Sequence, residues 1–234
     1  MSDNTSCLVF DIDDTLYLER DYVRSGFAAV GVWIEASLGL RSFSDRCWIA
    51  FRSGRRRTIF DEVLVSYGVD EQEREDLVVQ LVERYRRHHP VITLLPDADE
   101  TIERLRDEHT LAALSDGPLD SQRAKVRALG LAARLDRIVL TEELGPRRGK
   151  PDPAGFELIQ EWADVAAGRC VYVADNPLKD FGAPSELGWM TVRVRRAGGI
   201  HQHLPTGPDV DVEVTSLDSL DQVLGGSLRK SVRP

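Results

Sequence analysis

Residues 7–16 read Cys-Leu-Val-Phe-Asp-Ile-Asp-Asp-Thr-Leu, an apolar run that stops abruptly in acids. Four consecutive apolar residues leave no polar face, so Cys7–Asp11 is expected to be a strand covered on both sides. Four further short runs repeat the pattern: Thr110–Ser115, Arg137–Leu140, Cys170–Ala174 and Met190–Val194. Helical patterns lie between most of them, over about Asp97–Glu108, Leu119–Leu129 and Pro153–Asp164. Gly130 can close the second helix, while Asp152 is placed to cap the third and Pro153 suits its first position. A strand near Val210–Val214 and a helix near Leu217–Leu224 complete the series, and the polar tail after Gly225 is expected to fray. Strand–helix alternation predicts an α/β fold with a mostly parallel sheet between helical layers.

One region breaks the alternation. From Leu18 to about Pro96 only helical periodicity is visible. Val23, Phe27, Val30 and Ile34 form one stripe, Ile59, Phe60, Val63, Leu64 and Tyr67 a second, and Leu77, Val78, Leu81, Val82 and Tyr85 a third. A shorter helix is expected over Asp45–Phe51. The chain therefore divides into a core of residues 1–17 and 95–234 and a small helical bundle of residues 18–94 inserted after the first strand.

Composition narrows the function. With Lys+Arg 30 against Asp+Glu 39 the net charge is -9, which argues against general nucleic-acid binding, since that requires a basic surface. A local pocket for a small phosphorylated molecule is compatible with it. Cys7, Cys47 and Cys170 form no disulfide framework and fit a reducing compartment. The opening MSDNTS lacks the basic flank and apolar run of a signal peptide, and no stretch approaches the roughly 20 apolar residues of a membrane span. The expectation is a cytoplasmic protein without a membrane partner. Oligomeric state is not legible.

In an open parallel sheet, ligands bind beyond the carboxyl ends of the strands. Asp11 and Asp13 stand there, able to face one ligand if the chain turns. Asp11 could attack a phosphorus atom and Asp13 could exchange protons with the leaving oxygen and with water. Alone, D-x-D-x-T would also read as an acidic turn. Three later stretches weigh against that. Ser115-Asp116-Gly117 ends the second strand and offers a hydroxyl and backbone N–H groups to a phosphoryl oxygen. Gly149-Lys150-Pro151-Asp152-Pro153 presents a Lys on a rigid loop, suited to a phosphate. Asp175-Asn176-Pro177-Leu178-Lys179-Asp180 follows the fourth strand. Mg2+ prefers oxygen ligands and usually keeps several waters. Asp11, Asp175 and the main-chain carbonyl of Asp13 would make a partial octahedron, with Asp180 just outside, holding a water or orienting Lys150.

As a set, VFDIDDTL, LSDG, GKPDP and VADNPLKDF resemble, in order, the four motifs of haloacid dehalogenase-like hydrolases, from Cys7 to about Val194. The resemblance implies a Rossmann-like three-layer core, Asp11 as nucleophile and Asp13 as acid/base. It further implies Ser115, Asp116 and Lys150 at the phosphate, Thr15 and Asp180 in support, and a Mg2+ site served by Asp11, Asp13 and Asp175. The inserted helices are similar to the family's cap domain. Dehalogenases of the family generally lack an acid at the position of Asp13, so Asp13 favours phosphate chemistry. Ala174 departs from the pattern, where relatives commonly carry Gly.

The expected activity is hydrolysis of a small phosphomonoester such as a sugar phosphate or nucleotide. A phosphomutase using the same Asp pair and a silent phosphate-binding module are the alternatives. The basic run Arg52, Arg55, Arg56 and Arg57 reads either as a solvated helix end or as a contact to an anionic substrate. Tyr17, Arg20 and Arg24 are candidates for the entrance, with the helix seam an equally good home for Tyr17. His201 and His203 lack ligand spacing to a third donor and read as a surface loop.

Overall fold

The computed structural model describes residues 5–227; residues 1–4 and 228–234, including most of the tail expected to fray, lie outside the described residues. Six parallel strands form one sheet: β1 (Cys7–Phe10), β2 (Thr110–Ser115), β3 (Arg137–Leu140), β4 (Cys170–Ala174), β5 (Met190–Val194) and β6 (Val212–Val214). Their spatial order is β3-β2-β1-β4-β5-β6. The chain moves outward from β1 to β3, then returns to β4 on the other side of β1. The connections diverge between β1 and β4, where such a sheet opens a crevice.

Strand alternation explains why the runs look continuously apolar. Leu8 and Phe10 join Leu111, Ala113, Val171 and Val173 on one face, under α5 (Pro96–Leu105) and α9 (Leu220–Ser227). Cys7 and Val9 join Ala112, Leu114, Cys170 and Tyr172 on the other, under Phe156 and Ile159 of α7 (Ala154–Ala163). Each large aliphatic side chain so buried contributes about 1.5–3 kcal/mol.

Residues between β1 and α5 form α1 (Glu19–Leu38), α2 (Phe43–Arg52), α3 (Ile59–Val65) and α4 (Glu71–Arg87). They share a separate apolar cluster in which Val23, Phe27, Val30, Ile34, Val63, Leu77 and Leu81 are buried. Phe60, Tyr67, Val78 and Tyr85 lie at its margin, and Tyr67 falls beyond the end of α3. α1 and α4 approach closely at Gly26, where a Cβ would stand 2.3 Å from Cε2 of Tyr85. The chain leaves and re-enters the sheet layer through adjacent segments, since Leu95 N–H donates to Leu16 O at 2.9 Å.

Several boundaries differ from the sequence expectations. α5 stops at Leu105 because the N–H groups of Glu108 and His109 both turn back to Leu105 O, which delivers the chain to β2. α7 begins at Ala154; Pro153 precedes its first turn and Asp152 accepts from Ala154 N–H at 3.0 Å. The final expected helix is split into a tight turn over Leu217–Ser219, capped by Ser216, and then α9. α6 (Leu119–Ala128) ends near Gly130 as expected, with Gly130 in the left-handed region at φ 65°. The five-residue α8 (Gly182–Glu186) is too short to show a period and was not expected.

Candidate active site

β1 and β4 are neighbours in register, so the residues after them emerge side by side. Asp11 N–H extends that pairing by donating to Val173 O at 2.9 Å, which fixes the first acid at the crevice. Asp175 follows β4 directly, and Asp180 returns to the same place because its carboxylate accepts Asn176 N–H at 3.0 Å. Lys150, from the loop before α7, completes the group. Its ammonium lies 2.6 Å from Asp11 Oδ1, 2.9 Å from Asp180 Oδ1 and 2.9 Å from the Tyr172 hydroxyl. The Lys150 and Asp180 side chains are 0% exposed, so this pair forms the floor behind the reacting surface.

One Lys does not balance these acids. Ligand oxygens of Asp11, Asp175 and Asp180 all lie within 4.8 Å of one another, and all three residues are buried. Burial lifts the Asp11 carboxyl to about 6 despite Lys150. Burial, with the fields of Asp11 and Asp14, lifts Asp175 to about 9. Among the described residues no hydrogen bond reaches the Asp175 carboxylate. Three converging carboxylate oxygens and too little positive charge fit a hard divalent cation.

Asp13 has a different environment. Both its oxygens accept from Lys125 Nζ at 2.7 Å, Tyr17 OH donates to Oδ1, and Gln122 Nε2 lies 3.4 Å from Oδ2. Burial opposes ionisation here, but the Lys125 ammonium and these hydrogen bonds outweigh it and hold the carboxyl below its usual value. Its carboxylate is thus engaged away from the acid trio, which leaves only its main-chain carbonyl for a cation. Tyr17 is fully buried, so it serves both the seam and the site.

Ser115 departs from expectation: its buried hydroxyl donates to Gln122 Oε1 at 2.9 Å rather than facing the cavity. Gln122 in turn donates to Asp116 O at 2.6 Å, so Ser115 acts through that side chain. The Asp116 carboxylate accepts from Lys150 N–H (3.1 Å), Thr141 Oγ1 (2.9 Å) and Lys179 Nζ (2.8 Å). It ties the two lysine loops together, and what Asp116 can offer a phosphate is main chain only. Thr15 is buried beneath the loop, where its carbonyl accepts from Arg196 Nε and Nη2 at 3.0 and 2.7 Å. Asp14 accepts the N–H groups of Glu19 (2.8 Å) and Ile200 (2.6 Å), joining the loop after β1 to the start of α1 and to the segment after β5.

Lys125, Gln122 and Lys179 were missed from the sequence. Gln122 and Lys125 are three apart and share one face of α6, but nothing in the chain shows that this face meets the loop after β1. Lys179 sits four residues after Asp175 within a stretch already singled out for its acids.

These groups surround a cavity of about 340 Å3, walled by Asp11, Asp13, Asp116, Lys179, Asp175, Lys125 and, from the inserted helices, Glu19, Tyr22, Tyr85 and Arg86. His201 borders it too, closer than its loop assignment suggested. Arg24 lies elsewhere, 5.7 Å from the Trp48 ring centre.

The family model for haloacid dehalogenase-like hydrolases matches residues 5–188 of this chain. Glyceraldehyde 3-phosphate phosphatase of Methanopyrus kandleri is 28% identical over 228 residues, covering 93% of this chain and 94% of its own length. Phosphoserine phosphatase of Thermus thermophilus is 33% identical over 160 residues, 67% of this chain and 61% of its own. Among solved structures, YfnB of Bacillus subtilis, bound to magnesium, superposes with a TM-score of 0.67 at 19% identity, covering 94% of this chain and 99% of that one. The chain belongs to the haloacid dehalogenase-like hydrolases. Within them it is an enzyme of the phosphatase type, a phosphoric monoester hydrolase.

Proposed function

We propose that the enzyme hydrolyses a small phosphomonoester in the presence of Mg2+, through a phospho-aspartate on Asp11, with residues 18–94 acting as a cap over the site. The observation that carries this reading is the pairing of Asp11, held at Oδ1 by Lys150, with an Asp13 held separately by Lys125. Two close acids in different environments are suited to different tasks.

Lys150 leaves Asp11 Oδ2 without a protein hydrogen bond among the described residues, and Asp11 borders the cavity. That oxygen attacks phosphorus, the P–O ester bond breaks, and its electron pair goes to the leaving oxygen. Asp13 gives that oxygen a proton, releasing an alcohol and leaving an acyl-phosphate on Asp11. A water then attacks the phosphorus and passes its proton to the Asp13 carboxylate. The Asp11–phosphorus bond breaks, and inorganic phosphate departs. Asp13 as it stands is set for the second half, as a base. For the first half it must take up a proton with the substrate, which the approach of a phosphoryl dianion favours by like-charge repulsion. Lys179 and Lys150 are placed to offset charge on the phosphoryl oxygens.

Asp11, Asp175, Asp180 and the Asp13 carbonyl would hold Mg2+, which supplies further neutralisation of the phosphoryl group. The magnesium-bound Bacillus neighbour supports that choice of ion. Among the described residues no helix is long and apolar enough to cross a membrane, and the buried, unpaired cysteines support a reducing, cytoplasmic setting. The phosphatases of small metabolites among the relatives support a small phosphorylated substrate.

Asp11→Asn tests the reading. The variant is expected to remain folded and to release no phosphate from a panel of phosphorylated metabolites with Mg2+. Wild-type turnover in that variant overturns the nucleophile assignment. Phosphate release that needs no bisphosphate activator separates a phosphatase from a mutase.

A further inference from the structure

The site cavity continues into the inserted helices. A second cavity of about 290 Å3 lies among α1–α4, and Glu19, Tyr85 and Arg86 belong to the walls of both. Its volume is at the low end for small-molecule sites, about 300 Å3. One side is apolar: Phe27 packs against Phe51 and Phe60 with ring centres 6.4 and 5.9 Å apart. The other carries Arg56 and Arg57.

Some arginines of residues 18–94 have an acid. Arg55 pairs with Glu62 at 2.5 Å, Arg74 with Asp61 at 2.7 Å and Arg87 with Glu83 at 2.8 Å. The cavity arginines have none among the described residues. Arg56 is held by Phe51 O and Arg55 O at 2.8 and 2.7 Å, with its guanidinium 4.3 Å from the centre of the Phe51 ring. Among the described residues no carboxylate lies within 4.0 Å of Arg56, Arg57 or Arg86. Three guanidiniums border one largely apolar cavity, and their forked donors match a carboxylate or phosphate. Glu19 is the one acid on that wall, and it stands at the passage between the cavities.

We propose that this cavity receives the leaving group, and that preferred substrates carry a second anion, a carboxylate or phosphate, separated from the ester oxygen by an apolar segment. The proposal rests on the phosphatase reading above. It names the substrate class of that same site.

The test compares matched esters with the full-length enzyme and Mg2+: para-carboxyphenyl against phenyl phosphate, butanediol bisphosphate against butyl phosphate, and phosphoglycolate against ethyl phosphate. In the first two pairs the charged member is expected to have kcat/KM higher by about tenfold or more, the scale of one charge-assisted contact. The larger gain tells carboxylate from phosphate. Phosphoglycolate, whose carboxylate stands one carbon from the ester oxygen and lacks the apolar segment, is expected to gain nothing. The ratio should fall towards one in Arg57→Gln and in Arg86→Gln. It should survive in Arg55→Gln, which removes the same charge outside the cavity. Equal kcat/KM within the first two pairs, with phosphate still released, overturns the proposal and leaves the phosphatase reading standing. A ratio that persists in both cavity variants, or falls as far in Arg55→Gln, overturns the assignment to this cavity. No phosphate release from any ester removes the phosphatase reading itself, and the proposal with it.

Discussion

Replacing Lys125 by methionine removes the one charge that faces both oxygens of Asp13. The ammonium lies 2.7 Å from each, and 4.4 Å from the centre of the Tyr22 ring. The Lys125 side chain is 5% exposed and that of Asp13 20%. Deleting one partner of a buried ion pair costs about 3–5 kcal/mol, because the other charge is left in a poorly solvated place. Asp13 keeps Tyr17 and Gln122 and some contact with water, and methionine keeps most of the lysine stem. The expected loss is therefore at the low end, about 3 kcal/mol. With an m-value of about 3 kcal/mol/M, as suits a chain of this size, the urea midpoint falls by about 1 M. Asp13→Asn in the Lys125→Met background should restore much of that loss, giving a coupling of about 1–3 kcal/mol in a double-mutant cycle. The pair should also show in pH. Asp13 is held below its usual value, so its contribution is lost as pH falls through its folded pKa. Lys125 is held above its usual value, so its contribution is lost as pH rises through its own. Between these limits the penalty of Lys125→Met is flat. Additive single variants, or an unchanged urea midpoint, would refute the role given to this pair.

Other outcomes follow from the same geometry. Asp175 sits at about 9, far above a free carboxyl, so its burial penalty grows as pH rises from the unfolded value towards the folded one. Stabilisation by Mg2+, read as a shift in Tm, is thus expected to be larger at about pH 8 than at about pH 5, and an equal or opposite trend contradicts the acid trio as the ion's site. Asp13→Asn should slow turnover of alkyl phosphates much more than that of nitrophenyl phosphate, whose leaving group needs little proton assistance; equal slowing argues against its acid role. Gly26→Ala is expected to destabilise by about 1–3 kcal/mol through overpacking against Tyr85, measured by thermal unfolding, even though alanine is the better helix former.

The order of strands and helices was legible in the chain because each run carries its own evidence. Cys7–Phe10 had to be covered on both faces, and Val23, Phe27, Val30 and Ile34 had to share one helical stripe. The acids at the ends of β1 and β4 were legible too, since local sequence places them just past buried strands. Element ends were less so: the stop of α5 at Leu105 and the start of α7 at Ala154 depend on one or two hydrogen bonds at the turn. What only the tertiary structure decided was pairing between distant residues. Lys125 meets Asp13, separated from it by 112 residues, because one face of α6 meets the loop after β1. Ser115 turns to Gln122 rather than to the cavity, and Arg56, Arg57 and Arg86 border one apolar space. Periodicity is a property of neighbours along the chain. Whether a charge holds an acid ionised, or an arginine lacks a carboxylate, is a property of neighbours in space.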